Sequence, residues 1–281
     1  MSAAGAADLY CVFGNPVAHS KSPFIHARFA LQTGQHIRYE RELVEPGAFQ
    51  AALDAFRRRG GRGCNVTVPF KQDAWRCARM RTARAERAGA ANTLAWDDAE
   101  GAWLGDNTDG VGLLRDLRDN HGVQIRGRRV LVLGAGGAAR GILAPLLAEN
   151  PEALQIANRT PATAETLAAG FRDLGAVSGG GLKTERVPDI LINATSIGVQ
   201  GAQFAAGDIA IGPHTLCYDL SYASAAEPFA RWARARGAVR IIDGLGMLVE
   251  QAAESFTLWR GVRPATGPVI RALREAQENP C

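Results

Sequence analysis

Two hydrophobic periods alternate along the chain. Short apolar runs rich in β-branched residues recur throughout, separated by stretches whose apolar positions return every third or fourth residue. The runs at 9–13, 38–44, 63–68, 129–133, 154–157, 190–193, 216–220 and 239–242 predict strands. The stretches at 24–32, 48–59, 72–88, 111–119, 138–148, 162–171 and 225–236 predict helices. Such alternation implies βαβ units and a mainly parallel sheet, the pattern of an α/β protein. Residues 92–96 and 103–105, either side of the polar 97–101, predict one local hairpin. Met247, Val249, Phe256 and Trp259 mark the apolar face of a further helix, and 264–276 holds the last. These two follow the final strand of the second half and are expected to pack back on the first. The glycines at 179–181 have strand signals on both sides and predict a loop within a domain, not a linker. The expected organisation is two α/β lobes with a cleft between them. One is 1–108 completed by 244–281, and the other is 109–243.

Composition removes several classes. Of 281 residues 47% are apolar and 21% charged, an ordinary globular mix. Lys plus Arg is 32 against 28 for Asp plus Glu, a formal +4 without the concentrated basic face that nucleic acid requires. No apolar run approaches the roughly 18 residues of a membrane span, and the first residues lack the pattern of a signal peptide. The five cysteines (Cys11, Cys64, Cys77, Cys217, Cys281) are odd in number and widely spaced. With no CxxC pair and scattered histidines they suggest reduced thiols in a cytoplasmic protein and no metal site. Monomer and homodimer both remain open. One count is less ordinary: only Lys21, Lys71 and Lys183 are lysines, and the other 29 basic residues are arginines. Arg stays protonated, whereas an amine can lose and regain its proton, so each lysine invites a question.

The strongest generic motif is the segment at 129–141, where a buried-strand pattern runs into Gly134-x-Gly136-x-x-Ala139 and then a helix. Gly134 permits the tight turn, Gly136 lets backbone approach a pyrophosphate, and Ala139 allows close packing of helix on sheet. The second lobe is therefore read as a Rossmann dinucleotide-binding domain, with Gly134, Ala135, Gly136, Gly137 and Ala138 at the pyrophosphate. The next strand ends Asn158-Arg159-Thr160, without the acidic residue that usually binds the ribose 2′-hydroxyl of NAD. Arg159 suits a 2′-phosphate, and Asn158 and Thr160 offer neutral hydrogen bonds, so the cofactor is read as NADP. Asn158 reads alternatively as a cap for the helix beginning at Pro161, and Arg159 as a solvated charge.

Three segments in the first lobe are dense in hydroxyls and amides: 14–23 with Ser20, Lys21 and Ser22; 64–71 with Asn65, Thr67 and Lys71; and 105–110 with Asp106, Asn107, Thr108 and Asp109. Ser22 and Asp109 each read equally well, taken alone, as helix N-caps. Together, at the C-terminal ends of strands in one lobe, the segments look like a small-molecule site.

On these residues the sequence resembles the shikimate dehydrogenase family. The likeness runs from Val12–Pro23 through Asn65–Lys71, Ala91–Thr93, Gly105–Gly110, Gly134–Ala138, Asn158–Thr160, Asn193–Ser196, Tyr218-Asp219 with Tyr222, and Asp243–Val249. The resemblance implies an NADP-dependent oxidoreductase that reversibly reduces 3-dehydroshikimate to shikimate in the chorismate pathway to aromatic amino acids. It implies Ser20 and Ser22 at the substrate carboxylate with Tyr222 nearby, and Thr67, Asn92, Asp109 and Gln251 at the ring hydroxyls. It places Leu220 and Gly244 beside the nicotinamide. Two departures stand out: Thr163, where many NADP-using members carry a second Arg, and Leu220, often Met. The first predicts weaker discrimination against NAD; the second is a volume-conserving swap.

The chemistry stands independently of the family. Hydride addition to a ketone leaves an alkoxide that needs a positive partner and then a proton, and Lys71 can supply both. Asp109 would orient Lys71 while accepting a hydroxyl. A merely decorative charge at Lys71 is disfavoured because it would oppose the helix dipole. The remaining arginines, Arg57–Arg59 and Arg76, Arg79, Arg81, Arg84 and Arg87 on one predicted helix, read as a solvated face. Two rivals stay open: a quinate/shikimate dehydrogenase of broader substrate and NAD/NADP range, and a Rossmann-type metabolite sensor, which would need neither Lys71 nor Asp109.

Overall fold

The computed structural model describes residues 7–184, 186–195, 204 and 206–278. Ser196 and Cys281 lie outside the described residues. The chain forms two compact units: residues 1–109 with 249–281, and residues 110–248.

The first unit contains β1 (Asp8–Gly14), α1 (Ser22–Thr33), β2 (Ile37–Leu43), α2 (Phe49–Arg58), β3 (Gly61–Val66), α3 (Lys71–Cys77), β4 (Met80–Arg81), α4 (Ala83–Ala88), β5 (Thr93–Asp97) and β6 (Ala102–Asp106). Its sheet has the order β2-β1-β3-β5-β6-β4. Strand β1 runs parallel to β2 and β3, whereas β5 is antiparallel to β3 and β6, the latter pair being the expected hairpin. Phe49, Leu53 and Phe56, spaced one turn apart on α2, are fully shielded from water. Phe13 of β1 meets both rings edge-on at 5.6–5.7 Å, geometry that adds to simple burial.

The predicted helix at 72–88 is broken. It splits into α3 and α4 around the two-residue strand β4, which pairs with β6. A second N-cap explains the restart: the Thr82 hydroxyl accepts from Ala85 N–H and donates to the Asp106 carboxylate. The helical period continued across 78–82 only in sequence.

The second unit holds α5 (Asp109–Arg115, its first residue assigned to the first unit), β7 (Arg129–Leu133), α6 (Gly137–Ala148), β8 (Ala153–Ala157), α7 (Pro161–Ala169), β9 (Val177–Gly180), β10 (Ile190–Asn193), β11 (Leu216–Asp219), α8 (Glu227–Arg234) and β12 (Arg240–Ile242). Its sheet, order β12-β11-β10-β7-β8-β9, is parallel throughout. Strands β10 and β11 are buried along their whole length, as apolar runs covered on both faces must be. Connections leave β7 to either side, so the C-terminal ends of β7 and β10 form the topological switch point of a Rossmann fold. The α/β expectation holds.

The expected loop at 179–181 is corrected in part: Gly179 and Gly180 belong to edge strand β9, paired with Ile156 and Ala157. A Cβ on Gly179 would lie 2.2 Å from the Ala164 oxygen. Gly179 admits α7 close to the sheet, and what read as a loop is there a packing requirement.

Two C-terminal helices close the chain, α9 (Leu245–Arg260) and α10 (Gly267–Glu278). From Val249 onward α9 belongs to the first unit, where Trp259 donates from Nε1 to the Leu94 oxygen of β5.

Candidate active site

In the first unit the three hydroxyl- and amide-rich segments follow β1, β3 and β6, all at strand ends. Lys71 is the first residue of α3, and its Nζ lies 2.5 Å from Asp109 Oδ2, with side-chain exposures of 13% and 7%. Asn92 Nδ2 donates to the other Asp109 oxygen at 2.9 Å and to Gln251 Oε1 at 3.1 Å. Asp109 N–H donates in turn to Asn107 Oδ1. The Asp109 carboxylate is thus held from two sides by side chains, and the N-cap reading is set aside. A positive charge at Lys71 opposes the dipole of α3; the carboxylate opposite compensates.

Around this pair lies a polar knot. The Asn65 amide donates to the Asn92 oxygen, Thr93 Oγ1 and Ser255 Oγ at 3.0–3.3 Å. Thr108 N–H donates to Asn92 Oδ1 at 2.8 Å. Gln251, Ser255 and Trp259 recur every four residues on α9, so one helical face runs along Asn92, Thr93 and Leu94. Thr67 follows β3 and donates its N–H to the Phe13 oxygen; its methyl would stand 2.5 Å from a Cβ on Gly14.

Ser20 and Ser22 come together, their hydroxyls 3.2 Å apart. Ser22 is inside α1 and makes no cap bond; the residue preceding the helix is Lys21. Tyr39 donates its hydroxyl to Asn65 Oδ1 at 2.7 Å and also meets the Ser22 side chain. His26 stacks flat on Tyr39 at 4.3 Å, with Nε2 at 3.2 Å from the same Asn65 oxygen. Burial pushes the His26 imidazole down to about 3 and the Tyr39 phenol up, so both are neutral near pH 7.

In the second unit the turn after β7 is open to a ligand. Gly134 has φ +100°, and a Cβ there would lie 3.1 Å from the Ala194 oxygen, so only glycine fits. Gly136 precedes α6 without a side-chain cap, and nothing stands within 4 Å of its missing Cβ. Bare helix amides beside open space suit a pyrophosphate. Asn158 does not cap α7; its amide donates to the Thr160 oxygen, and Thr160 takes the cap position. Arg159 and Thr160 are exposed, and among the described residues Arg159 has no acidic partner, leaving it available to a 2′-phosphate. Leu220 and Gly244 are adjacent, since a Cβ on Gly244 would come within 2.4 Å of the Leu220 oxygen. Tyr222 precedes a short turn at Ala223–Ala225 in this unit, whereas Ser20 and Ser22 are in the other. These residues fit NADP.

Sequence reasoning missed His26, Tyr39 and Ser255 as parts of polar networks, and it named Thr108, Asn193 and Asp219 without giving them a role. Ser255 alone carried a signal, four residues beyond Gln251. The solvated arginine face is corrected in part: Arg58, Arg59, Arg76 and Arg79 are exposed, whereas others of the set are engaged. Arg84 clamps the buried Asp106 carboxylate through two 2.5 Å contacts and reaches Glu254 at 3.1 Å. Arg81 lies 4.1 Å over the Trp75 ring, and Arg57 lies 4.3 Å over Trp96.

Residues 12–94 match the shikimate dehydrogenase substrate binding domain, 117–197 the shikimate/quinate 5-dehydrogenase family, and 244–274 the shikimate 5′-dehydrogenase C-terminal domain. Shikimate dehydrogenase (NADP(+)) of Alkalilimnicola ehrlichii is 54% identical over 268 residues, 95% of this chain and 98% of its own. The crystal structure of an Ael1 enzyme from Pseudomonas putida is 42% identical, covers 95% of this chain and 98% of that one, and has a TM-score of 0.84. Shikimate 5-dehydrogenase from Thermus thermophilus, in complex with NADP(H) and shikimate, is 33% identical. It covers 95% of this chain and 99% of that one, with a TM-score of 0.82.

Proposed function

This chain belongs to the shikimate dehydrogenase family, and from that premise we infer that it reversibly reduces 3-dehydroshikimate to shikimate with NADPH. The observation that carries the reading is the Lys71–Asp109 pair at 2.5 Å, almost buried and braced by Asn92. Neither a sensor nor a structural protein needs a lysine amine held against a helix dipole by a carboxylate that two neighbours already orient.

The first unit takes the substrate. Ser20 and Ser22 donate to its carboxylate. Thr67, Asn92, Asp109 and Gln251 hold the ring hydroxyls, whose donors and acceptors match these side chains. The second unit takes the cofactor. Gly134, Ala135, Gly136, Gly137 and Ala138 hold the pyrophosphate, Asn158, Arg159 and Thr160 the 2′-phosphate, and Leu220 and Gly244 the nicotinamide. When bound, NADPH supplies the hydride.

Lys71 stabilises negative charge developing on the carbonyl oxygen and then gives that oxygen its proton. In the reverse direction the neutral amine receives the hydroxyl proton. Asp109 keeps the amine aimed at that oxygen. The buried, charge-paired setting strengthens both interactions relative to water. Among the described residues no helix is long and apolar enough to cross a membrane, and the four described cysteines are free. Free thiols support a reducing, cytoplasmic setting.

Steady-state rates with shikimate and quinate, each with NADP and NAD, test the proposal. Shikimate with NADP should give the highest kcat/KM. A preference for quinate with NAD would overturn it in favour of the broader enzyme, and NADPH binding without turnover of 3-dehydroshikimate would indicate a sensor.

A further inference from the structure

At the C-terminal ends of β10 and β11 lies a second carboxylate network. Asp219, the last residue of β11, is 1% exposed. Its Oδ2 accepts from Asn193 Nδ2 at 3.1 Å, and its Oδ1 accepts from Ser221 N–H at 2.8 Å. Asn193 Oδ1 is itself held by the Thr195 hydroxyl at 2.7 Å and by Thr195 N–H. The strand end is further tied by Leu220 N–H to the Asn193 oxygen, and Gly244 N–H donates to the Ser221 oxygen at 2.8 Å. The segment from Asp219 to Ser221 thereby fixes both Leu220 and Gly244.

We propose that Asp219, as a carboxylate, is the positioning residue for the nicotinamide end of the cofactor site, setting Leu220 and Gly244 through its bonds to Ser221 and Asn193. This rests on the assignment of Leu220 and Gly244 to the nicotinamide. The geometry asks for the ionised form. The Asn193 amide and Ser221 N–H can only donate, the Ser221 hydroxyl also bonds to the carboxylate, and a protonated oxygen would turn its own O–H against one of the two N–H groups. Burial works the other way, pushing the carboxyl up to about 7, and Asp243, from the segment after β12, adds to that push. Asn193 from β10 and Ser221 from Asp219's own loop are neutral and act by hydrogen bonds alone. The network is complete above about pH 7 and loses one bond below it.

The experiment is calorimetric titration with NADPH between pH 5.5 and 9 on wild type, Asp219→Asn, and the exchanged double variant Asn193→Asp with Asp219→Asn. Thermal melts without cofactor and KM for shikimate are measured alongside. Second ionisation of the 2′-phosphate, near pH 6, is common to all three and cancels. Wild-type affinity should tighten as pH rises through 7. Asp219→Asn should bind at least about tenfold more weakly at pH 8, show no transition near 7, and keep its KM for shikimate. The exchange restores one carboxylate and one amide with every donor matched, and should recover most of the affinity. An Asp219→Asn protein that binds like wild type with the same pH profile overturns the inference. So does a folded exchange variant without recovery, which also decides the matter if Asp219→Asn alone does not fold. Wild type that fails to bind NADPH would instead overturn the underlying functional reading.

Discussion

Lys71→Arg separates charge from proton transfer. Lys71 Nζ sits 2.5 Å from Asp109 Oδ2 with 13% of its side chain exposed, so removing the charge outright would strand an almost buried carboxylate. Stranding one partner of a buried pair costs about 3–5 kcal/mol, which would mix a folding defect with a catalytic one. Arginine keeps the positive charge, and its fork can still reach Asp109. Its proton does not leave near neutral pH, so the alkoxide keeps electrostatic support but loses its acid. General acid–base catalysis is worth about 10²–10⁴-fold. The lower end corresponds to about 2.7 kcal/mol of barrier at 1.36 kcal/mol per decade. We expect a folded protein with an unchanged NADPH dissociation constant and kcat reduced at least about 100-fold. The assay follows absorbance at 340 nm from pH 6 to 10, beside fluorescence titration of the cofactor. Turnover within a fewfold of wild type would refute the acid–base role and leave Lys71 a charge alone.

Three further outcomes follow from particular contacts. Thr163 is exposed in the first turn of α7, beyond Arg159. Thr163→Arg should add about 1 kcal/mol toward a 2′-phosphate, roughly fivefold in the NADP-to-NAD ratio of kcat/KM; an unchanged ratio would refute its placement. Arg84→Ala leaves Asp106 buried without its guanidinium partner, and should lower stability by about 2 kcal/mol in urea melts; a loss under about 0.5 kcal/mol would make the clamp energetically idle. His26 has a folded value of about 3, below its unfolded 6.5, so only the unfolded chain takes up that proton as pH falls between them. The stability contributed by this histidine is therefore complete above about 6.5 and erodes toward 3 by at most about 1.4 kcal/mol per pH unit. His26→Phe should flatten urea midpoints between pH 7 and 4 relative to wild type, and parallel curves would refute the assignment.

The two sheets were legible because burial leaves a periodic trace. Strands such as β10, sealed on both faces, can only be written as apolar runs, and α2 can only meet β1 through Phe49, Leu53 and Phe56. The failures came where local and tertiary demands diverge. Residues 72–88 keep a helical period, yet the edge of β6 recruits Met80 and Arg81 into a strand, and Thr82 starts a new helix against Asp106. At Gly179 the absence of a side chain read as a loop, and it is the condition for α7 to touch β9.

The candidate site divides along the same line. Residues grouped after a strand end were visible as dense polar segments, because such density has no reason in a core. Their bracing was not visible: Tyr39 and His26 are on elements with ordinary amphipathic patterns, and only the fold brings them to Asn65. Nor could spacing have paired Asp219 with Asn193, which stand in register on neighbouring parallel strands 26 residues apart. What composition did supply was a filter. In a chain that writes arginine for nearly every cation, Lys21 and Lys183 prove exposed, and Lys71 alone of the three is shielded and paired with a carboxylate. Arginine would serve such a pair as well or better by its geometry. An amine kept there, against both the compositional bias and the helix dipole, points to a proton that must move.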